Sequence, residues 1–213
     1  MEHRTKGIIL RTRLLTESSL IVHWLTPDAG RVSTVAKGAR RPKSPFSGKL
    51  DLFFTAEFTF IRSRRSDLHT LREASLLDNR VALRQDIVAL QRACYGTAFL
   101  EQVTEPDTPL PGIFELFQGF IDEVCRRPAA PEVTLAFEIK MLDELGLRPV
   151  LETAALSEGA RKIAGRLSAD TWSDLQPLKP TAAQLRELRH FLQNCLLQHF
   201  GRVPRGRDAA VSP

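Results

Sequence analysis

The stretch DLFFTAEFTF, residues 51–60, carries the clearest structural signal in the chain. From Phe54 onward, apolar and polar residues alternate. The apolar positions are Phe54, Ala56, Phe58 and Phe60, and the polar positions are Thr55, Glu57 and Thr59. Because successive side chains of a strand point to opposite faces, this alternation predicts a β-strand with one buried face and one face towards solvent.

Short runs of the same kind lie on both sides of this stretch, and turn residues separate them. The four further predicted strands are Lys6–Leu14, Leu20–Thr26, Arg31–Lys37 and Leu68–Leu77. Between the second and third strands, Pro27 presets φ and Gly30 accepts a positive φ, as a tight turn requires. Five short strands favour a closed barrel of the OB type over an open sheet, whose edges would remain unpaired.

Beyond Asn79 the apolar residues follow the period of helices. Predicted helices cover Ile87–Leu100, Pro111–Val124, Pro131–Leu145 and a segment that starts at the cap Thr181, with shorter pieces near Glu158–Leu167 and Trp172. Thr181 and Gln184 form a capping-box pattern, and Gly146 and Gly201 are typical of helix ends. The sequence therefore predicts an α+β chain, with an OB barrel over residues 1–80 and an all-α domain over residues 81–213.

Charge is distributed unevenly along the 213 residues, whose formal net charge is +5. Residues 1–80 hold 15 Lys and Arg against 8 Asp and Glu, whereas residues 81–213 hold 15 against 17. Residues 29–50 contain six cations and no acidic residue. This concentration of positive charge predicts a polyanionic partner, most simply a nucleic acid.

The segment KGARRPKS, residues 37–44, is the best candidate for contact with that partner. Glycine and proline keep it out of regular structure, and its four cations can follow a phosphate backbone. A loop that only aids solubility is the alternative interpretation. Arg11 and Arg13 share a strand face and extend the surface, and Phe46 is a candidate for stacking on a base. The candidate nucleic-acid-binding residues are Arg11, Arg13, Arg31, Lys37, Arg40, Arg41, Lys43 and Phe46; Arg62, Arg64 and Arg65 either extend the surface or form a charged hairpin tip.

Catalytic residue types are present, but the sequence does not group them. It has no GxGxxG motif, P-loop, HExxH motif or CxxC pair, and Cys94, Cys125 and Cys195 are far apart. No apolar run approaches the ~20 residues that span a bilayer. We therefore expect a non-enzymatic protein of the reducing cytoplasm, with no metal, no cofactor and no membrane contact.

Several motifs together closely resemble the RecO family of bacterial recombination mediators. They are Gly7–Arg13 (GIILRTR), Gly30–Val32 (GRV), Val35–Arg41 (VAKGARR), Leu71–Ala74 (LREA) and Leu145–Leu147 (LGL). The resemblance implies an N-terminal OB barrel and a helical C-terminal domain. It also implies binding to single- and double-stranded DNA at the nucleoid, annealing of complementary strands, and contacts with RecR and with the acidic tail of single-strand-binding protein, so that RecA is loaded. By resemblance, Lys37, Arg40, Arg41 and Lys43 lie in the DNA-binding part of the barrel.

The sequence departs from the family pattern in two places. Many members carry a zinc-binding segment with cysteines after the LGL element, but residues 148–170 contain no cysteine, so we predict no metal. Some members have arginine directly before a Phe-Glu pair that corresponds to Phe137-Glu138, at a position implicated in docking the acidic tail, where this chain has Ala136. We expect one of three nearby cations, Lys140, Arg126 or Arg127, to substitute for it.

The predicted mechanism is electrostatic: cations on the barrel neutralise phosphates, so that two strands approach and pair. With about five phosphates engaged, the affinity falls with salt at a log–log slope of about −3.5 to −4.5. Two other functions fit the same residues. A general OB-type RNA-binding protein would prefer RNA through its 2′-OH, and a pure adaptor would bind its partner even after charge reversal in the loop.

Overall fold

The structure is a computed structural model that describes residues 2–152 and 154–212. Within these residues the chain forms five strands followed by seven helices. The strands are β1 (Glu2–Leu14), β2 (Leu20–Thr26), β3 (Gly30–Ala36), β4 (Thr55–Ile61) and β5 (Leu68–Asp78). The helices are α1 (Ala82–Gln85), α2 (Ile87–Val103), α3 (Pro111–Arg126), α4 (Pro131–Glu144), α5 (Glu158–Ala169), α6 (Ala182–Phe200) and α7 (Arg207–Ala210).

The five strands close into a barrel in the order β1-β2-β3-β5-β4, and β4 pairs with β1. The β3–β5 pairing is parallel, and the other pairings are antiparallel. A five-stranded closed barrel of this kind is an OB-type fold. The predicted fold class, an OB-type barrel followed by a helical region, is confirmed.

The alternation in residues 51–60 matches the interior of this barrel. The apolar residues Phe54, Ala56, Phe58 and Phe60 are all buried in its core. Trp24 of β2 stacks on Phe58 with ring centroids 4.0 Å apart, and its indole N–H donates to Thr34 Oγ1 at 2.9 Å. The buried indole is therefore both packed and hydrogen-bonded, as a tryptophan in a core requires.

Strand boundaries differ from the predicted ones where pairing, rather than local pattern, decides them. β1 begins at Glu2 instead of Lys6, because its first residues pair with β4 from the Glu2–Ile61 position onward. β2 has the predicted bounds. The capping box of α6 is present, since Thr181 Oγ1 accepts from the Gln184 amide at 3.3 Å and Gln184 Oε1 accepts from the Thr181 amide at 2.8 Å.

The chain divides into two compact units, and each has its own core. One unit contains Met1–Val81 together with Thr104–Glu115, and the other contains Ala82–Val103 together with Leu116–Pro213. In the helical unit, Phe120 of α3 stacks on Phe137 of α4 with centroids 4.2 Å apart. A buried ion pair joins Glu138 of α4 to Arg207 of α7, with Nε to Oε1 at 2.7 Å.

Candidate nucleic-acid interface

Residues 37–50, here called the basic loop, connect β3 to β4 through a series of turns. The turns are closed by backbone hydrogen bonds such as Arg41 N to Gly38 O at 3.1 Å and Ser44 N to Arg41 O at 3.0 Å. Gly38 has φ +67, a conformation that residues with a side chain adopt only with strain. These contacts give the loop an ordered backbone although it is not helix or strand.

Phe46 anchors the basic loop to the barrel. Its side chain is only 6% exposed and belongs to the barrel core, against which Leu20, Ala39 and Leu50 pack. Burying a phenylalanine from water stabilises the folded state by about 1.5–3 kcal/mol. The ring therefore holds the loop in place and does not offer a free face to a base, in contrast to the stacking role that the sequence suggests for it.

The turn between β1 and β2, residues 15–19, is hydrogen-bonded to the basic loop. Arg40 donates twice to it, from its backbone amide to Ser18 O and from Nη1 to Glu17 O, both at 3.0 Å. The Gly38 amide donates to Ser19 Oγ at 3.3 Å. The β1–β2 turn and the basic loop thus form one continuous surface at one end of the barrel.

The cations of the basic loop are directed to solvent. Lys37, Arg40, Arg41 and Lys43 are all exposed. Among the residues that the structure describes, the side chains of Lys37, Arg41 and Lys43 have no hydrogen-bonding or ionic partner. Elsewhere on the barrel, by contrast, Arg4 is paired with Glu57 at 2.8 Å. The loop therefore presents positive charge that no internal carboxylate neutralises, and a bound anion can take that place.

Two depressions border the basic loop, and Arg41 lines both. One has a volume of about 350 Å³ and lies over Phe46 and Leu50, between residues 39–42 and residues 46–50 of the loop. The other, here called the turn pocket, has a volume of about 390 Å³. The turn pocket is lined by Leu15, Thr16, Ser18, Ser19, Val35, Lys37, Gly38 and Arg41.

Arg11 and Arg13 lie on β1, where a bulge follows Ile9. Arg11 pairs with His23, and Arg13 pairs with Ile21, which in turn pairs with Val35. Arg13 is exposed and stands two residues before the β1–β2 turn, so it belongs to the same end of the barrel as the basic loop. Arg11 is half-buried and lies two residues before Arg13, further from the turn.

Arg31 lies at the opposite end of β3 and has a different set of contacts. Its guanidinium donates from Nε to Thr104 Oγ1 at 2.8 Å and from Nη2 to Thr104 O at 2.5 Å. Its carbonyl accepts the Asp107 amide at 2.9 Å. Arg31 thus fastens the segment 104–115 to the barrel. The structure does not bring it together with the cations of the basic loop.

The hairpin tip between β4 and β5 carries Arg62, Arg64 and Arg65, and Arg62 is paired with a carboxylate. Arg62 Nη1 lies 3.4 Å from Asp107 Oδ1, whose other neighbour is His69 Nε2 at 3.5 Å. Arg64 and Arg65 are exposed. The tip therefore has three exposed cations, of which Arg62 is paired with Asp107.

Leu15 lines the turn pocket and Leu14 precedes it at the end of β1, and the sequence pattern predicts no role for either beyond the end of a strand. Leu14 and Leu15 are 66% and 45% exposed, respectively, at the end of β1, where the basic loop and the β1–β2 turn meet. Single exposed leucines are common on proteins. The available sequence signal was an apolar pair directly before the polar turn Thr16–Ser19, at a position where the strand face should already be turning to solvent.

Ala136, where some family members have arginine, is fully buried. Three cations of the helical unit are the candidates to replace that arginine. Lys140 donates to the carbonyls of Ser168 and Asp170, and burial lowers the pKa of its ammonium. Arg127 is bonded to Glu132.

Arg126 is the most accessible of the three, with 58% of its side chain exposed beside Glu123. It is therefore the cation of the three that is most accessible to an incoming carboxylate.

In the described part of the chain, no group of three or more His, Cys, Asp or Glu residues is arranged to hold a metal ion. None of the helices formed by these residues is both long and apolar enough to cross a membrane.

Comparison with known proteins gives consistent matches over most of the chain. Residues 1–80 match the family model described as "Recombination protein O N terminal", and residues 84–159 match "Recombination protein O C terminal". The DNA repair protein RecO of Listeria monocytogenes serotype 4b is 31% identical over 153 residues, which cover 72% of this chain and 59% of that protein. The DNA repair protein RecO of Bacillus pumilus is 28% identical, with 94% of this chain and 80% of that protein covered. The matched region thus spans 59% of the length of the Listeria relative.

Proposed function

Since this chain belongs to the RecO family of recombination proteins, we propose that it is a DNA repair and recombination mediator that binds single- and double-stranded DNA and anneals complementary strands. The observation that carries the proposal is the basic loop: four of its five cations are exposed, and three of those four lack an internal partner among the described residues. Arg13 extends the same surface along β1, and we propose that Arg11 extends it further along the same strand.

The surface is suited to phosphates rather than to particular bases. Arginine forks bind phosphate oxygens through two parallel hydrogen bonds, and lysine binds them as a point charge. The loop offers both types, because Arg40 and Arg41 stand between Lys37 and Lys43. Contacts of this kind fix the position of a strand but carry no sequence information. We therefore expect affinity that depends strongly on salt and weakly on sequence.

Annealing follows from the same electrostatics. Two complementary strands repel each other through their phosphates, and this repulsion opposes the first base pairs. A cationic surface that holds one strand replaces its counterions and lowers the potential that the second strand meets. The protein forms no covalent bond in this process, so no catalytic residue is required.

We further propose that the chain works with RecR and single-strand-binding protein, and through them favours RecA loading on coated single strands. The helical unit supplies a candidate contact for the acidic tail of single-strand-binding protein. There, Arg126 is exposed, whereas Lys140 and Arg127 already have internal partners. Arg126 Nη1 already lies 2.7 Å from Oε2 of Glu123, whose side chain is buried, so a tail carboxylate would bind the exposed guanidinium alongside Glu123 rather than displace it.

The test is the annealing of complementary, fluorescently labelled single strands, both naked and precoated with single-strand-binding protein. The variant Arg40→Glu/Arg41→Glu reverses two charges in the basic loop. The matched control Lys179→Glu/Arg186→Glu reverses two exposed charges of the helical unit. We expect the loop variant to lose annealing and the control to keep it, while thermal denaturation shows that both remain folded.

Two results would overturn the proposal. If the loop variant binds and anneals DNA as well as the control does, the basic loop is not the DNA site. If RNA of the same sequence displaces DNA at much lower concentration, the 2′-OH contributes to binding, and an RNA-binding function is favoured instead.

A further inference from the structure

The turn pocket lies directly beside the basic loop and brings apolar, hydroxyl and cationic side chains together. We propose that it binds one unpaired nucleobase of a DNA strand whose phosphates lie on the basic loop. The inference rests on the proposed function and adds a specific ligand group to it. The volume of the turn pocket, about 390 Å³, falls at the lower end of the range for small-ligand pockets, about 300–1,000 Å³.

The pocket offers an apolar surface of the kind that a base can cover. Leu15 and Val35 contribute its hydrophobic lining. Leu15 is 45% exposed, so much of its side chain stays in water in the free protein. A nucleobase has an apolar face and a polar edge, and covering Leu15 with that face removes apolar area from water.

Hydroxyl groups beside this apolar surface match the polar edge of a base. Thr16 Oγ1 accepts the Ser19 amide at 3.1 Å, and Ser19 Oγ accepts the Gly38 amide at 3.3 Å. Each hydroxyl uses a lone pair in these bonds and keeps its hydrogen for donation. Ser18 adds a third hydroxyl to the lining. Carbonyl oxygens and ring nitrogens of bases are the acceptors that such donors can meet.

Cations at the rim fix where the sugar-phosphate backbone must lie. Lys37 and Arg41 both line the pocket and are exposed. The Arg41 side chain runs close to Gly38, where a Cβ would lie 3.4 Å from Arg41 Cδ. This is an ordinary contact distance, so the stem of Arg41 lies beside Gly38 at the pocket, while the residue as a whole is exposed. A base in the pocket and its neighbouring phosphates on the two cations can therefore be bound at once.

This arrangement distinguishes single strands from duplexes. In a duplex, the bases are stacked and paired, so inserting one into the pocket requires unpairing it at a cost of a few kcal/mol. In a single strand, the base is free to enter. The pocket therefore adds affinity for single-stranded DNA alone, whereas the cations of the basic loop bind both forms.

The experiment measures the affinity of the full chain for three probes of equal length: oligo(dT), a duplex, and a strand with abasic sites in place of the bases. Leu15→Ser removes apolar lining without a change of charge. Leu77→Ser is the matched control, because Leu77 is 57% exposed on β5. We expect Leu15→Ser to weaken oligo(dT) binding about fivefold or more, and to leave duplex binding, the salt slope and the melting temperature unchanged.

The wild-type chain should bind the abasic strand about as weakly as Leu15→Ser binds oligo(dT). Equal wild-type affinities for the abasic strand and oligo(dT) would overturn the base pocket. An equal loss of oligo(dT) and duplex binding in Leu15→Ser would also overturn it. Neither result would affect the proposed function, which fails separately if charge reversal in the basic loop leaves DNA binding unchanged.

Discussion

Replacing Lys37, Arg41 and Lys43 with glutamine is the sharpest test of the electrostatic interpretation. These three cations are exposed and have no side-chain partner among the residues that the structure describes. Surface substitutions without such partners usually change stability by less than about 0.5 kcal/mol. The triple variant should therefore unfold at the same temperature as the wild-type chain, and any loss of binding will report on the surface itself.

The size of the effect follows from the number of phosphates engaged. Arg13 together with Lys37, Arg40, Arg41 and Lys43 gives about five contacts, and for single strands each contributes about −0.7 to the log–log salt slope. The wild-type slope should therefore be about −3.5, and the slope of the triple variant about −1.4. Between 50 and 200 mM salt, the wild-type affinity should fall about a hundredfold and that of the variant about sevenfold.

Fluorescence anisotropy of a labelled oligo(dT) over a salt series measures both slopes directly. The control removes three exposed cations of the helical unit, as Lys179→Gln/Arg186→Gln/Arg202→Gln. Both variants carry the same net charge, so a general effect of charge on the whole molecule would lower their slopes equally. Equal slopes for the two variants, or a slope of about −3.5 retained by the loop variant, would refute the assignment of phosphates to the basic loop.

Three further predictions concern stability. Phe46→Ala should lower the free energy of unfolding by about 3–5 kcal/mol in urea denaturation, because it leaves a cavity in the barrel core; a loss below about 1 kcal/mol would contradict the anchoring role. Glu138→Gln should cost about 3–5 kcal/mol, since it removes the charge that faces the buried guanidinium of Arg207; a melting temperature like that of the wild-type chain would be incompatible with this ion pair. The Arg148 guanidinium holds the pKa of Asp143 below its ordinary value of 3.8. The pair therefore stabilises the folded chain above about pH 4, and this contribution is lost as the pH falls through the lowered pKa of the folded state. In Arg148→Met, an NMR titration should find the pKa of Asp143 raised towards 3.8.

The barrel was predictable because its signal is local. A strand with one buried face needs alternation, and residues 54–60 supply it with three phenylalanines and an alanine. The turn signals at Pro27 and Gly30 then position the neighbouring strands. The first residues of β1 gave no such signal, because their strand conformation depends on pairing with β4, which lies far away in sequence.

The site was predictable in residue type but only partly in position. The cations of residues 37–43 form a dense run, and a loop rich in glycine and proline exposes them. Arg31 belongs to the wider stretch without acidic residues, residues 29–50, yet it binds Thr104, more than seventy residues later. Nothing in the composition of residues 104–115 indicated that this segment returns to β3. The prolines there predict a break in helical structure, but not the surface against which the broken segment packs.

Phe46 shows why an aromatic residue among cations is an ambiguous signal. The same side chain can stack on a base or anchor the loop, and a local sequence does not distinguish the two uses. The structure favours anchoring, because the ring is in contact with the barrel core. The consequence is favourable for binding: a loop that is already ordered in the free protein loses little conformational entropy when DNA arrives. In the base pocket proposed above, the apolar contact with a base belongs to Leu15, whose exposed side chain lines the turn pocket. Anchoring by a buried aromatic ring and apolar contact with a base are then separate roles of two residues, Phe46 and Leu15.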